Sequence, residues 1–190
     1  MKSVAIIKDF FSTEWLQKAK GFEKAQTYSP QWITNHQFFP PQYVEGPGII
    51  LINFIPSPFD LQLQDYMIEQ GWLKYRPKHF HALLYRGCQG SYVCWHRDGK
   101  EDYTQLERAA MSIYLNEEWG SLWGGWFSWQ EDNSEVINSY VPQYNSAVVI
   151  LNDVEHCTTP IGPSAKYPRA SIQLFFEKDA LNTEYFNNQL

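Results

Sequence analysis

From about His79 onward, apolar and polar positions alternate in short runs: "HFHALLYR", "YVCWHRD", "AAMSIYLN", "GGWFSW", "SAVVILN" and "RASIQLFFE". Each is rich in β-branched or aromatic residues, and turn residues such as Gly87, Gly120 and Gly162 separate them. Alternation over so few residues predicts strands, and several short strands at this spacing predict a sandwich or barrel. The earlier part of the chain reads differently. "VAIIKDFF" is β-rich, and "STEWLQKAKGF" after it reads as a short helix capped by Ser12 or Thr13. "SPQWITNHQFFPPQYVEGPG" is dense in Pro and Gly and reads as loop. "SPFDLQLQDYMIEQGW" reads as a second helix, with Ser57 as its cap, Pro58 just inside and Gly71 past its end. Leu63 and Met67 share one face of that helix, and Leu61, Asp65 and Ile68 another. The expectation is a single domain over 1–190. A helical and loop elaboration covers about 1–78, and a β-rich core covers about 79–178.

Composition narrows this only a little. The 190 residues are 44% hydrophobic and 19% charged, which describes a globular chain. A formal net charge of -6 speaks against nucleic acid as a partner, since such binders are normally basic. Twelve Tyr, twelve Phe and eight Trp suit either an aromatic-lined cavity or a large β core. Cys88, Cys94 and Cys157 are odd in number and irregular in spacing, so a reducing compartment is expected. The N-terminus lacks the apolar stretch and cleavage site of a signal peptide, and no run approaches the roughly 20 apolar residues of a membrane span. The expected protein is cytoplasmic.

Candidate chemistry begins at "YVCWHRDGK". His96 and Asp98 are two residues apart, so a strand puts both on one face, with Tyr92 and Cys94. Two inward polar groups must be satisfied, and a metal ion would do so. His156 lies sixty positions further on, where the buried-looking strand "SAVVILN" runs into a turn. Two imidazoles and one carboxylate can form the facial triad of non-haem iron(II) oxygenases, which leaves three positions of an octahedral ion open. Thirteen positions after His156, Arg169 opens "RASIQLFF" and shares a face with Ser171. A guanidinium beside a hydroxyl is suited to gripping a carboxylate.

In this order, "LLYRGCQGSYVCWHRD", "SIYLNEEWGSLWGGWFSW", "SAVVILNDVEHCTTPI" and "RASIQLFF" resemble iron(II)- and 2-oxoglutarate-dependent dioxygenases, in particular their prolyl-4-hydroxylase-like branch. The resemblance covers roughly Phe80 to Phe176. It implies an α+β, mainly β fold: a double-stranded β-helix of jelly-roll type with N-terminal helices packed on it. It implies Fe(II), O2 and 2-oxoglutarate, with ascorbate as a further candidate cofactor. His96, Asp98 and His156 would bind iron, Arg169 would pair with the distal carboxylate of 2-oxoglutarate, and Ser171 and Tyr85 would help it. The substrate would be a prolyl-type residue, another amino acid or peptide, a protein or a small molecule. Asp98 argues against halogenation, because halogenating relatives lack that carboxylate. Trp126-Phe127 after the double glycine depart from the usual acidic residue and leucine, and the gap from His156 to Arg169 is slightly long.

Other polar residues carry less. Trp126 and Tyr92 are candidate substrate contacts. Glu117 and Glu118 read as a solvated hairpin loop, and His79 and His81 as structural or pocket-lining. His36, in the Pro-rich loop, is uninformative. Two other classes compete with a hydroxylase: a non-catalytic jelly-roll module that senses 2-oxoglutarate, and a cupin-like zinc hydrolase. The latter wants a general base beside its metal-bound water, and the sequence offers none well placed.

Overall fold

A computed structural model describes residues 3–26, 29–32, 49–98 and 107–188, with backbone alone for 29–32, 49–54 and 188. The elements in chain order are β1 (Val4–Ile7), α1 (Thr13–Ala25), β2 (Ser29–Trp32), β3 (Ile49–Phe54), α2 (Phe59–Glu69), β4 (Phe80–Gly87) and β5 (Val93–His96). They continue with β6 (Arg108–Tyr114), β7 (Phe127–Gln130), β8 (Ile137–Tyr140), β9 (Ser146–Ile150), β10 (Glu155–Thr158), β11 (Arg169–Glu177) and α3 (Thr183–Asn188). Two antiparallel sheets result: a seven-stranded one in the order β1-β9-β6-β11-β4-β3-β2, and a four-stranded one in the order β5-β10-β7-β8. From β4 to β11 the chain passes back and forth between them, which is the double-stranded β-helix that the sequence implied. Among the described residues no helix is long and apolar enough to cross a membrane.

The larger sheet is covered on both faces, and β11 shows how one strand serves both. Its even positions Ile172, Leu174 and Phe176 join Leu84, Met111 and Ile113 in a core against α1 and α2, through Leu16, Ala19, Leu63 and Met67. Its odd positions Arg169, Ser171 and Gln173 are buried on the other face, toward the smaller sheet. There Tyr114, Val148 and Phe127 form a second apolar cluster with Trp129, Tyr140 and Phe175 packed on it. One face of β11 is thus apolar and the other polar, although both are buried.

The N-terminal elements follow from local chemistry. The Ser12 hydroxyl accepts the Trp15 N–H at 3.3 Å and caps α1, with Glu14 in its first turn and Lys24 in its last. Buried Glu23 near its end accepts from Arg86 Nε at 2.6 Å and ties the helix to β4. In α2, Leu63 and Met67 are buried as expected, while Leu61 is exposed and Asp65 pairs with Arg76 at the surface. The expected cap is not the observed one: Pro58 holds the N-cap position and makes no side-chain cap bond. Helical geometry begins at Phe59, which leaves Ser57 one residue too early to cap. Gly71 lies past the helix end with φ +77°, a conformation glycine adopts without steric cost.

The loop reading of 29–48 is corrected in part. Ser29–Trp32 is an edge strand paired with β3, and the remainder, including His36, lies outside the described residues. The proline in "SPQW" argued against a strand, but an edge position tolerates it because the ladder on one side needs no donor. β3 was not expected, so 1–78 is not a purely helical and loop elaboration: β1, β2 and β3 extend the larger sheet. β8 and β10 were not expected either. Four residues each, they are too short to show a clear alternation.

The fully buried Leu174 on β11 gives a test of this packing. Leu174→Ala should lower unfolding stability by about 2–5 kcal/mol in urea titration. Leu122→Ala, at a side chain 87% exposed, should change it by less than about 0.5 kcal/mol.

Candidate metal centre

In the smaller sheet β5 pairs with β10, and the register sets His96 directly across from His156. Directly opposed residues of an antiparallel pair project to the same face, and the two imidazole centroids are 4.2 Å apart. β5 ends at His96, so Asp98 lies just past the strand and not on its face. Its carboxylate nevertheless reaches back to both rings. Asp98 Oδ1 is 3.7 Å from His96 Nε2, and Oδ2 is 3.7 Å from His156 Nε2. One ligand atom from each of the three residues lies within 4.8 Å of the others.

The outer ring nitrogens decide what this cluster can do. His96 Nδ1 lies 2.7 Å from the Cys94 carbonyl, and His156 Nδ1 lies 2.9 Å from the Val154 carbonyl. A carbonyl only accepts, so Nδ1 of each ring carries the proton and Nε2 presents a lone pair to Asp98. Burial, then the neighbouring His156, pushes His96 down to about 4, so it stays neutral near pH 7. Asp98 Oδ2 is buried with no hydrogen-bond partner. Three electron-rich atoms facing one another beyond hydrogen-bond reach repel, unless a cation lies among them. Two imidazoles, each oriented by a carbonyl, and one carboxylate are the donor set of an iron(II) facial triad. The fit is therefore chemical as well as geometric.

Arg97, between the two ligand positions, points away as strand parity expects. It donates to the Asp153 carbonyl at 3.0 Å and pairs with Asp132, linking the β5 end to the loops before β10 and after β7. Phe127 stacks on the His156 ring with centroids 5.4 Å apart.

A second cluster faces this one from the larger sheet. Arg169 is 5% exposed, its Nε has no hydrogen-bond partner, and it makes no ion pair among the described residues. Its guanidinium carbon lies 5.0 Å from the Tyr114 ring centroid. The register sets Ser171 between Tyr85 on β4 and Tyr114 on β6. Arg169 lines a cavity with Tyr85, Gly87, Ser91, Tyr92 and Thr158. Burial, then the Asp98 carboxylate, pushes the Tyr85 hydroxyl up to about 12. Burial raises Tyr114 as well, against the lowering effect of Arg169. Both phenols stay neutral and can donate. A buried cation with hydroxyls beside it and no acid paired to it among the described residues is suited to a carboxylate from outside.

Glycine makes the room. Gly87 stands opposite Arg169 in the ladder, and a Cβ there would come within 2.7 Å of Ile161 Cδ1. Gly124 has φ +70°, and a Cβ on it would strike the Pro160 carbonyl oxygen at 2.0 Å. Gly125 has φ +65°, and a Cβ there would press on Arg169 Cδ at 3.1 Å.

Sequence reading missed Tyr114, Gln173 and Trp129. Gln173 shares strand parity with Arg169 and Ser171, so its signal was present in "RASIQ". Trp129 stands directly across from His156 in the β7–β10 pair. Trp126 lies one residue before β7, and its indole N–H donates to the Ser121 carbonyl at 3.0 Å. Tyr92 lines the Arg169 cavity. His79 and His81 line a shallow depression with Glu107 and Glu177, at the end of β11 away from Arg169. Glu117 and Glu118 are exposed, with Glu117 paired to Lys20. All three cysteines are free thiols, and burial pushes Cys157 up to about 11.

Solved structures of similar fold cover nearly the whole chain. A prolyl-4-hydroxylase of Pseudomonas putida is 17% identical with TM-score 0.65, over 93% of this chain and 92% of that one. A prolyl hydroxylase of Trichoplax adhaerens, in complex with a hypoxia inducible factor peptide fragment, is 14% identical with TM-score 0.65, over 93% and 84%. An oxidoreductase of the 2OG-Fe(II) oxygenase family from Burkholderia pseudomallei is 11% identical with TM-score 0.62, over 94% and 86%. No curated protein matches the sequence. The model of the 2OG-Fe(II) oxygenase superfamily matches residues 80–177, just over half of the chain. This protein is therefore an enzyme of the 2OG-Fe(II) oxygenase superfamily, with Fe(II), 2-oxoglutarate and O2 as its cofactors and co-substrates.

Proposed function

We propose that the protein hydroxylates a prolyl-type residue in a peptide. In the balanced reaction 2-oxoglutarate, O2 and a substrate C–H give succinate, CO2 and a C–OH. The observation that carries the site assignment is the pairing of two incomplete clusters. One is an electron-rich triad with an orphaned carboxylate oxygen, and the other is a buried guanidinium with no ion pair among the described residues. A metal ion completes the first, and one end of a dicarboxylate completes the second.

His96 Nε2, His156 Nε2 and Asp98 would hold the iron, which when bound supplies the activation of oxygen. The other tasks belong to the chain. The Cys94 and Val154 carbonyls keep the imidazole protons on Nδ1 and the lone pairs inward. Arg169, Ser171 and Tyr114 would grip the distal carboxylate of 2-oxoglutarate, with Tyr85 beside them. That grip fixes which end of the oxo-acid faces the metal. Phe127 and the apolar cluster behind it exclude water from one side of His156.

The substrate assignment is supported by the named activities of the two similar prolyl hydroxylases, one of which carries a peptide. Tyr92, Trp126 and Trp129 are the aromatic side chains we assign to the substrate side, where flat rings suit a pyrrolidine. Three free cysteines suit a reducing, cytoplasmic setting.

The reading is tested by succinate release from 2-oxoglutarate with Fe(II), O2 and ascorbate across a panel of proline-containing peptides. Stimulation by a prolyl peptide supports it, and stimulation only by unrelated small molecules overturns the substrate assignment. A chelator should abolish turnover, and added Fe(II) should restore it. His96→Ala and Asp98→Ala should each reduce succinate release at least a hundredfold and abolish stoichiometric Fe(II) binding in anaerobic titration. Arg169→Met should raise KM for 2-oxoglutarate about tenfold or more while peptide KM changes little; an unchanged KM for 2-oxoglutarate would sink the role given to Arg169.

A further inference from the structure

The polar inner face of the larger sheet holds one more group that the reaction as described does not use. Gln173 is buried on β11, two positions beyond Ser171. Its amide is bonded at both ends. Ser112 Oγ, on the neighbouring strand β6, donates to Gln173 Oε1 at 2.6 Å. Gln173 Nε2 then donates to Ser171 Oγ at 2.9 Å. The register brings the three together, because Gln173 stands directly opposite Ser112.

The chain has a direction. Ser112 gives its proton to Gln173, and the Gln173 amide gives one to Ser171. A hydroxyl that accepts at its oxygen still has its own proton to donate. Ser171 is fully buried between Tyr85 and Tyr114. Its cross-strand neighbours are the Tyr85 and Tyr114 phenols, and a carboxylate drawn in by Arg169, two positions along the same strand face, is the charged acceptor for that proton. Donors aligned in series polarise one another, so the last bond in the row is strengthened.

The geometry points to Gln173 as a positioning residue that fixes the proton direction of Ser171 and so tightens the grip on the distal carboxylate of 2-oxoglutarate. This rests on the oxo-acid reading of the Arg169 cavity given above. Gln173 does not touch the co-substrate. Its effect passes through Ser171 alone, and that dependence is what an experiment can read.

The experiment is calorimetric titration of 2-oxoglutarate into the Mn(II)-loaded protein, for wild type, Gln173→Met, Ser171→Ala and the double variant. Methionine keeps the length and apolar volume of glutamine but bonds to neither serine. The expected result is a three- to tenfold weaker Kd in Gln173→Met, about the size of one lost hydrogen bond. Ser171→Ala should weaken binding at least as much, and the double variant no more than Ser171→Ala. In Gln173→Met, KM for 2-oxoglutarate should rise in parallel while kcat at saturation holds. Gln173→Glu, which forces both serines to donate toward position 173, gives a second reading if the methionine variant does not fold. Its weakening should be larger with Ser171 present than with Ser171→Ala. An unchanged or tighter Kd in Gln173→Met, or the same loss with and without Ser171, overturns the inference while leaving the oxo-acid reading intact. Failure of the wild-type protein to bind 2-oxoglutarate overturns both.

Discussion

The site depends on keeping two opposite buried charges apart. The Asp98 carboxylate and the Arg169 guanidinium share one interior, and each has a buried polar atom without a partner. Left to themselves such groups would pair, because an unpaired charge in a low-dielectric interior costs several kcal/mol. The two-sheet architecture prevents it. Asp98 is anchored past the end of β5 in the smaller sheet, and Arg169 at the start of β11 in the larger one. The core against α1 and α2 and the cluster between the sheets together offset this cost. The fold thus stores two incomplete polar clusters that a metal ion and a dicarboxylate can complete.

The larger sheet makes this possible by treating its two faces differently. The face under the helices is apolar and densely filled, through residues such as Leu84, Met111, Ile172 and Leu174. The inner face carries Ser112, Tyr114, Ser171, Gln173 and Arg169 on adjacent strands. Strand periodicity lets one segment, β11, supply both the apolar anchor and the polar lining. A shift of register by one residue would exchange the two faces. The same sheet pairing that holds the fold together therefore sets Arg169, Ser171 and Tyr114 beside one another.

Space is controlled by backbone as much as by side chains. Gly124 and Gly125 take positive φ where a β-carbon would collide with the Pro160 carbonyl or with Arg169. Gly87, across the ladder from the same arginine, leaves the place a β-carbon would take to the Ile161 side chain. On the other sheet the ligand geometry comes from a single register contact, His96 against His156. Asp98 completes it from just past the strand end. Arg97, beside it in the chain, ties that strand end to the loop before β10.

The chain of amino acids by itself determined the β-rich body, most of its strands, both N-terminal helices and the ordered set of His96, Asp98, His156 and Arg169. Those features are written in local alternation, in capping residues and in unusual polar residues at regular spacing, all of which act over a few positions. It did not determine the strand at Ser29–Trp32 or the short strands β8 and β10, because four residues carry too little alternation and proline masked the edge strand. Nor did it show that Asp98 lies beyond a strand end, that Tyr114 flanks Ser171, or that Gln173 bonds both Ser112 and Ser171. Only the tertiary structure decided these. Cross-strand register joins residues sixty positions apart, and whether a buried hydroxyl or guanidinium has a partner depends on which strand lies beside it.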